Sequence, residues 1–267
     1  MSRQWIVSLL LLPLTLASAT GQPTPEERLE NTPRHLEWAE VQRDGRTIEC
    51  FVAYPERADD APAVVVIHEI FGLTDWVRGV TDQLAEKGYL AIAPDLLSGM
   101  GPGGGGTSSF DSGDAVRRAI RNLANDQVNA DLDAAARYVT GLPSADGSVS
   151  VAGFCWGGSR SFAYATHNPK LTAACVFYGT APTDADAISQ IACPVFGFYG
   201  ENDNRVNSTI DQTKRLMEAA GKAYKPVIYD GAGHGFMRAG EAADASDANK
   251  QARRQAWDRW LEILQEK

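Results

Sequence analysis

The sequence around residue 155 predicts a sharp turn from a strand into a helix. The apolar run 149–152 leads directly into the segment Gly153-Phe154-Cys155-Trp156-Gly157-Gly158. Glycines on both sides of residue 155 allow the two backbone segments to approach closely, and the side chain at the apex is pushed outward. The start of a helix also favours a thiolate. Cys155 is therefore either a displayed nucleophile or a small apolar core residue, and this segment alone leaves both interpretations open.

The N-terminal residues are typical of an exported protein. Arg3 supplies a positive charge, residues 5–16 are largely apolar, and Ala17-Ser18-Ala19 fits the small-residue pattern of a cleavage site. We predict a signal peptide over 1–19, a polar leader over 20–34 and one domain over 35–267. The expected location is periplasmic or extracellular, without stable membrane insertion after cleavage. An uncleaved anchor is the alternative, although Pro13 interrupts an apolar run that is short for a membrane span.

Charge and composition limit the kinds of partner and site. With 34 acidic and 25 basic residues the formal net charge is −9, which argues against nucleic acid as a partner. No cluster of histidines and cysteines has metal-site spacing, and no glycine-rich segment ends in the GK[ST] of a phosphate-binding loop, so neither metal nor cofactor is predicted. The cysteines other than Cys155 lie in apolar segments and are predicted to be core thiols, with one disulfide among them left open: Cys50, Cys175 and Cys193.

Strand-like and helix-like segments alternate along the domain. Short β-branched or aromatic runs predict strands at 36–42, 47–54, 63–68, 89–93, 148–152, 172–178, 194–199 and 224–229. Helical periodicity is clearest over 126–140, 208–219 and 247–265. Several strands are continuous apolar runs, as is typical of strands covered on both faces. The sequence therefore predicts an α/β fold, with a mostly parallel sheet flanked by helices on both faces.

A nucleophilic cysteine needs a base, and the base needs an acid to orient it. His234 lies in a glycine-rich loop after the last predicted strand, which is where a hydrolase base is expected. Asp203 follows the preceding strand and is the favoured acid, with Glu201 and Asp230 as alternatives. The order of nucleophile, acid and histidine is that of α/β hydrolases. Together the three segments favour a catalytic Cys155.

Five segments of the chain occur in the same order in one known family. They are Val66-Ile67-His68-Glu69-Ile70-Phe71-Gly72, Gly88-Tyr89 through Ala93-Pro94-Asp95-Leu96, the segment 153–158, Tyr199-Gly200 through Asp203, and Gly233-His234-Gly235-Phe236. Across roughly 35–240 the chain thus resembles the dienelactone hydrolase family of α/β hydrolases, and the cysteine in place of serine is particularly characteristic. The resemblance implies the α/β-hydrolase fold and hydrolysis of a carboxylic ester or lactone, a small-molecule substrate.

The resemblance also implies the chemical roles of four side chains. Cys155 would attack the carbonyl and form an acyl-enzyme, His234 would carry the proton, and Asp203 would hold the imidazole. Glu69 would contact the nucleophile and help to form its thiolate. Its alternative role is that of a strand-end residue in a polar network.

Further roles implied by the resemblance concern the oxyanion and the substrate. The backbone N–H groups of Ile70 and Trp156 would form the oxyanion hole. Arg238 would bind a carboxylate of the substrate. Tyr178, which lies at another predicted strand end, and Phe71 are also predicted to contact the substrate.

The chain departs from the family's pattern in the glycine-rich segment 98–113. The family's second carboxylate-binding arginine would fall near Gly99, and this segment contains no arginine. Its absence argues against dienelactone as the substrate but leaves ester or lactone hydrolysis unaffected. The segment is predicted to be a flexible loop that either closes over the site or has no catalytic role.

Two other functions are compatible with the sequence. A member of the fold can bind a ligand without turnover, since a fold alone does not establish catalysis. Cys155 can also have a redox role, although no second cysteine lies near it in the sequence to resolve an oxidised thiol. Nothing in the sequence predicts the oligomeric state.

Overall fold

One sheet of eight strands forms the centre of the computed structural model, which describes residues 23–266. The predicted signal peptide therefore lies outside the described residues. The strands are Leu36–Arg43 (β1), Arg46–Ala53 (β2), Ala61–Ile67 (β3), Leu90–Pro94 (β4), Ala145–Phe154 (β5), Ala174–Phe177 (β6), Val195–Gly200 (β7) and Tyr224–Tyr229 (β8). Their order across the sheet is β1-β2-β4-β3-β5-β6-β7-β8. Each predicted strand corresponds to one of them.

The sheet is mostly parallel, as predicted. β1 pairs antiparallel with β2, and β2 antiparallel with β4, whereas the pairs from β4 to β8 are all parallel. β4 is buried at every position, as expected of a strand covered on both faces. β5 begins earlier than the predicted 148, because Ala145 pairs with Ala61 on the far side of a register shift.

Helices cover both faces of the sheet. Within residues 23–266 the α-helices are Pro25–Glu30 (α1), Asp75–Glu86 (α2), Gly113–Arg121 (α3), Asn125–Thr140 (α4), Trp156–His167 (α5), Ala185–Ser189 (α6), Asn204–Asn207 (α7), Ile210–Ala219 (α8), Phe236–Ala239 (α9) and Asp247–Gln265 (α10). Trp76 of α2 and Trp260 of α10 are buried in the core on one face. Leu132 of α4 and Phe162 of α5 are buried in the core on the other. The predicted three-layer arrangement is therefore confirmed.

Part of the predicted leader is folded onto the domain. α1 begins with a capping box, in which Thr24 and Glu27 each bond the other's backbone. The guanidinium of Arg34 donates two hydrogen bonds of 2.7 Å to Asp82 of α2. The domain start near residue 35 remains a prediction, but the leader contributes structure from α1 onward.

Two further predictions concern the cysteines as core thiols and the absence of stable membrane insertion. All four cysteines are free thiols, and Cys50, Cys175 and Cys193 are buried, as expected of core residues. Among the helices of residues 23–266, none has the length and apolar character needed to cross a membrane.

Candidate active site

The predicted site residues meet at the carboxyl edge of the sheet. Cys155 directly follows the central strand β5, and Glu69 follows its neighbour β3. Tyr178 comes after β6 on the other side of β5, and Asp203 and His234 come after β7 and β8. Because parallel strands end at one edge, residues far apart in the sequence converge there.

The turn at Cys155 is strained and tightly packed. Cys155 has φ 56° and ψ −113°, a conformation that residues other than glycine rarely adopt. A Cβ on Gly153 would lie 2.0 Å from the carbonyl oxygen of Gly157, and a Cβ on Gly157 would lie 2.4 Å from that of His68. The flanking glycines are therefore required by close backbone contacts, and these contacts hold Cys155 at the apex.

His234 is held by a buried carboxylate. Its Nδ1 lies 2.5 Å from Oδ2 of Asp203, and because a carboxylate oxygen accepts, Nδ1 carries the hydrogen. Asp203 is buried, while the His234 side chain is 34% exposed. A fixed Nδ1–H leaves Nε2 free to exchange a proton, as a general base requires.

The alternative acids have other positions. Glu201 accepts a hydrogen bond of 2.7 Å from the backbone N–H of Gly231, which orders the loop before His234. Asp230 is exposed to solvent. Of the three carboxylates considered, Asp203 is the one that contacts the imidazole.

Cys155 and Asp203 together determine how readily His234 holds a proton. Burial alone would lower the pKa of His234, but interactions with the Cys155 thiol and with Asp203 outweigh it and raise the pKa. The protonated imidazole is thus stabilised beside the cysteine. This coupling is typical of a thiol and a histidine that act as one unit.

Glu69 and Arg238 form an ion pair next to this unit. Nε of Arg238 donates a hydrogen bond of 2.7 Å to Oε2 of Glu69, which is 3% exposed. Burial raises the pKa of Glu69, and the positive charges of Arg238 and His234 oppose that rise. Glu69 is therefore a buried carboxylate whose basicity depends on its partners.

Tyr178 forms part of the wall behind His234. Its ring packs edge-on against His234, with 5.1 Å between centroids, and against Phe236 at 5.4 Å. The backbone of Tyr178 has φ 43°, which ends β6 one residue earlier than predicted. Its hydroxyl is buried and has no hydrogen-bond partner within residues 23–266, and burial raises the pKa of the phenol well above its usual range.

Two backbone N–H groups at this edge of the sheet have no hydrogen-bond acceptor among the described residues. The N–H groups of Ile70 and Trp156 donate to no protein acceptor within the described part of the chain. Ile70 lies in the turn after β3, and Trp156 is the first residue of α5. Because β3 and β5 are neighbours in the sheet, both N–H groups lie at the edge where Cys155 is displayed, and free donors of this kind are what an oxyanion site needs.

Comparison with known proteins agrees with this geometry. Residues 48–267 match the dienelactone hydrolase family. The chain belongs to the dienelactone hydrolase family. As a family member it is a hydrolase of the ester and lactone type.

Individual relatives and a solved structure support the same conclusion. A "Putative carboxymethylenebutenolidase" from Methylorubrum extorquens is 34% identical over 205 residues, or 73% of this chain and 69% of the relative. One with the same description from Escherichia coli K12 is 30% identical over 238 residues, 83% of each chain. The crystal structure of a "Putative Dienelactone Hydrolase" from Klebsiella pneumoniae matches with a TM-score of 0.77 and 27% identity, covering 88% of this chain and 100% of the other. The predicted α/β-hydrolase fold is confirmed.

A basic residue that was not predicted accompanies the site of this dienelactone hydrolase family member. The guanidinium carbon of Arg238 lies 5.1 Å from the ring centre of Phe71, and that of Arg117 in α3 lies 5.8 Å from it. No arginine lies near Gly99 in the sequence, and the second arginine beside Phe71 is Arg117 of α3. No local spacing relates Arg117 to Phe71, so only the packing of α3 could reveal it.

The glycine-rich segment is tied to the site at Thr107. The hydroxyl of Thr107 donates to Oδ1 of Asp95 at 2.7 Å and accepts from the N–H of Leu73 at 3.2 Å, and its own N–H donates to Asp95 at 2.6 Å. A Cβ on Gly72 would lie 2.4 Å from the Thr107 hydroxyl. The segment therefore holds the turn after β3 and is anchored at this point.

No group of three or more potential metal ligands occurs within residues 23–266. The side chains that converge on Cys155 are those of an acid–base and nucleophile unit. They can accept a proton from the thiol and deliver it to a leaving group.

Proposed function

We propose that this chain hydrolyses a carboxylic ester or lactone through a thioester between the acyl group and Cys155. The observation that carries the proposal is the position of the Cys155 thiol. It is displayed on a strained turn and interacts with His234, which Asp203 holds at 2.5 Å. A weak nucleophile is activated by such a base.

The first half of the proposed reaction forms the acyl-enzyme. His234 takes the proton of the Cys155 thiol, and the sulfur attacks the carbonyl carbon. The carbonyl oxygen becomes an oxyanion, which the N–H groups of Ile70 and Trp156 stabilise. The C–O bond to the leaving group then breaks, and the alkoxide receives the proton from His234.

The second half regenerates the enzyme. His234 removes a proton from water, and the hydroxide attacks the thioester carbon. The C–S bond breaks, the carboxylic acid leaves, and the Cys155 sulfur receives its proton back from His234. Asp203 stabilises the imidazolium in both halves.

We further propose that the substrate carries a carboxylate. Arg238 and Arg117 both lie against Phe71 at the edge of the site, and planar guanidinium groups suit a carboxylate. A substrate carboxylate that engages Arg238 would weaken its bond to Glu69. Glu69 would then lose the charge that lowers its pKa and become a stronger base close to Cys155. Two relatives are described as "Putative carboxymethylenebutenolidase", a name that refers to a butenolide lactone with a carboxyl group.

The carboxylate preference is tested with two activated aryl esters that differ only in a terminal carboxylate or carboxamide. We expect Arg238→Gln and Arg117→Gln each to lower the ratio of kcat/KM for the acid over the amide by about tenfold, the effect of one charged hydrogen bond. Arg78→Gln is the matched control, because Arg78 also lies over aromatic rings but contacts Trp38 and Phe51. Wild-type ratios in both site variants would contradict the carboxylate proposal without affecting the proposed nucleophile.

A pH profile tests the coupling of Asp203, His234 and Cys155. Activity requires that Cys155 and His234 hold one proton between them, so kcat/KM should fall when that proton is lost at high pH. Because the pKa of His234 is raised, the fall should come above the ordinary histidine value of about 6.5. Asp203→Asn removes one interaction that raises the pKa, so the falling limb should move to lower pH. An unchanged limb in this variant would show that Asp203 does not control the imidazole.

A further inference from the structure

His68 is a fully buried histidine that the proposed reaction does not use. It follows β3 directly, has no exposed surface, and lies two residues before Ile70. Its Nδ1 is 2.8 Å from the carbonyl oxygen of Glu69, and its Nε2 is buried without a hydrogen-bond partner in the described part of the chain. A buried polar ring with one defined bond calls for an explanation.

The contacts of His68 define its protonation. A carbonyl oxygen only accepts, so Nδ1 carries a hydrogen and donates it to Glu69. Burial lowers the pKa of the His68 imidazole, and the charge of Asp95 opposes this only in part. The ring is therefore neutral, with a bare Nε2, and acts as a single hydrogen-bond donor.

That donor orients the peptide group between Glu69 and Ile70. The carbonyl of Glu69 and the N–H of Ile70 belong to one planar trans peptide, so the two bonds point in opposite directions. The N–H of Gly72 also donates to this carbonyl, at 3.2 Å. With the oxygen held by two donors, the rotation of the peptide is fixed, and so is the direction of the Ile70 N–H.

His68 also contacts the start of α5, where the second free N–H group, that of Trp156, lies. Its ring stacks on the ring of Trp156, with 5.5 Å between centroids and 12° between planes, while the guanidinium of Arg160 lies over the same indole at 4.9 Å. The carbonyl of His68 closely approaches Gly157, the residue after Trp156. His68 thus packs between the two segments whose N–H groups face no acceptor.

We propose that His68 is a positioning residue that aligns the oxyanion site: its Nδ1–H sets the direction of the Ile70 N–H, and its ring holds Trp156 in place. The inference rests on the proposed function, because it assigns the oxyanion to these two N–H groups. His68 itself contacts neither the substrate nor the reacting atoms. Its effect belongs to the step in which charge develops on the carbonyl oxygen.

Two amide substitutions test the Nδ1 bond with matched chemistry. His68→Asn places an amide donor near the position of Nδ1, whereas His68→Gln places the same group near that of Nε2. We expect kcat for a small activated ester to fall on the order of tenfold in the Gln variant, less than the loss on deleting an oxyanion donor, with KM little changed. The Asn variant should retain most of the activity. His68→Phe, which keeps an aromatic ring on Trp156 and removes the donor, should behave like the Gln variant.

A thionoester analogue of the same substrate separates alignment from general loss of structure. An oxyanion site stabilises developing charge on oxygen better than on the larger sulfur, so the Gln and Phe variants should lose more activity on the ester than on the thionoester. Equal losses on both substrates, or equal activity of the Asn and Gln variants, would overturn the inference. Full activity in Cys155→Ala would instead remove the proposed function, so the two failures are distinguishable. If the Phe variant does not fold, the Asn and Gln comparison still decides.

Discussion

Replacing Cys155 with alanine is expected to lower kcat/KM for a small activated ester by about 10⁵-fold or more, because the variant lacks the thiol that forms the proposed thioester. The fold should persist. Cys155 is only half-buried, and alanine is no more strained than cysteine at φ 56°. The measurement is steady-state turnover beside a thermal unfolding curve of the same preparation.

A second variant at this position isolates the strain. The free energy of unfolding of Cys155→Gly should exceed that of Cys155→Ala by about 1 kcal/mol, since glycine tolerates a positive φ. The glycine variant should therefore unfold at a higher temperature. Both should be inactive. Substantial turnover in the alanine variant would exclude Cys155 as the nucleophile. A wild type that turns over no ester, yet whose Cys155 reacts with a thiol reagent, would favour the binding or redox alternatives.

Replacing His234 with alanine is expected to lower kcat/KM by about 10³-fold, because the thiol loses its base and the leaving group loses its acid. Asp203 also loses the partner that faces it at 2.5 Å and is left as a buried charge. The loss should therefore include some stability, which an unfolding curve measures separately from turnover. If exogenous imidazole partly restored the rate, the chemical role of the ring would be supported directly.

The chain contains a matched control for this variant. Nε2 of His167 lies 2.9 Å from Oδ2 of Asp133, which forms a second histidine–aspartate pair outside the site, on α5 and α4. His167→Ala should leave kcat/KM within about twofold of the wild type, as expected for a surface substitution. Comparable losses at His167 and His234 would mean that His234 acts through the fold and not through chemistry.

Local signals were sufficient to predict the strands and the sharp turn at Cys155. The run Ala63 to Ile67 is apolar throughout, so both its extended conformation and its burial follow from composition. Gly153 and Gly157 are demanded by backbone contacts of 2.0 and 2.4 Å, which is why a glycine pattern could locate the turn. Asp203 and His234 lie in the loops that follow β7 and β8, and parallel strands bring such loops to one edge of the sheet.

Long-range packing could not be predicted in the same way. α2 contains Gly79 together with β-branched Val77, Val80 and Thr81, a composition that disfavours a helix until burial against the sheet stabilises it. The bond between Glu69 and Arg238 joins positions 169 residues apart. Nothing near either residue specifies its partner.

The position of Arg117 illustrates the same limit. The family's pattern places the second carboxylate-binding arginine near Gly99, whereas the second arginine beside Phe71 in this chain is Arg117 of α3. A motif position in the sequence cannot predict an arginine that reaches the same place from a different helix. Thr107 bonds Asp95 and Leu73, so the glycine-rich segment is held against the residues that follow β4 and β3.

Trapping the acyl-enzyme would show directly whether the Cys155 thiol carries the acyl group. The enzyme is mixed with an activated ester whose acyl group is hydrolysed slowly, the reaction is stopped with acid, and intact and peptide masses are measured. We predict one acyl group per chain, located on the peptide that contains Cys155, together with a burst of leaving group equal to the enzyme concentration. Turnover at the wild-type rate with no acyl group on Cys155 at any time, or with the acyl group on another residue, would show that Cys155 is not the nucleophile.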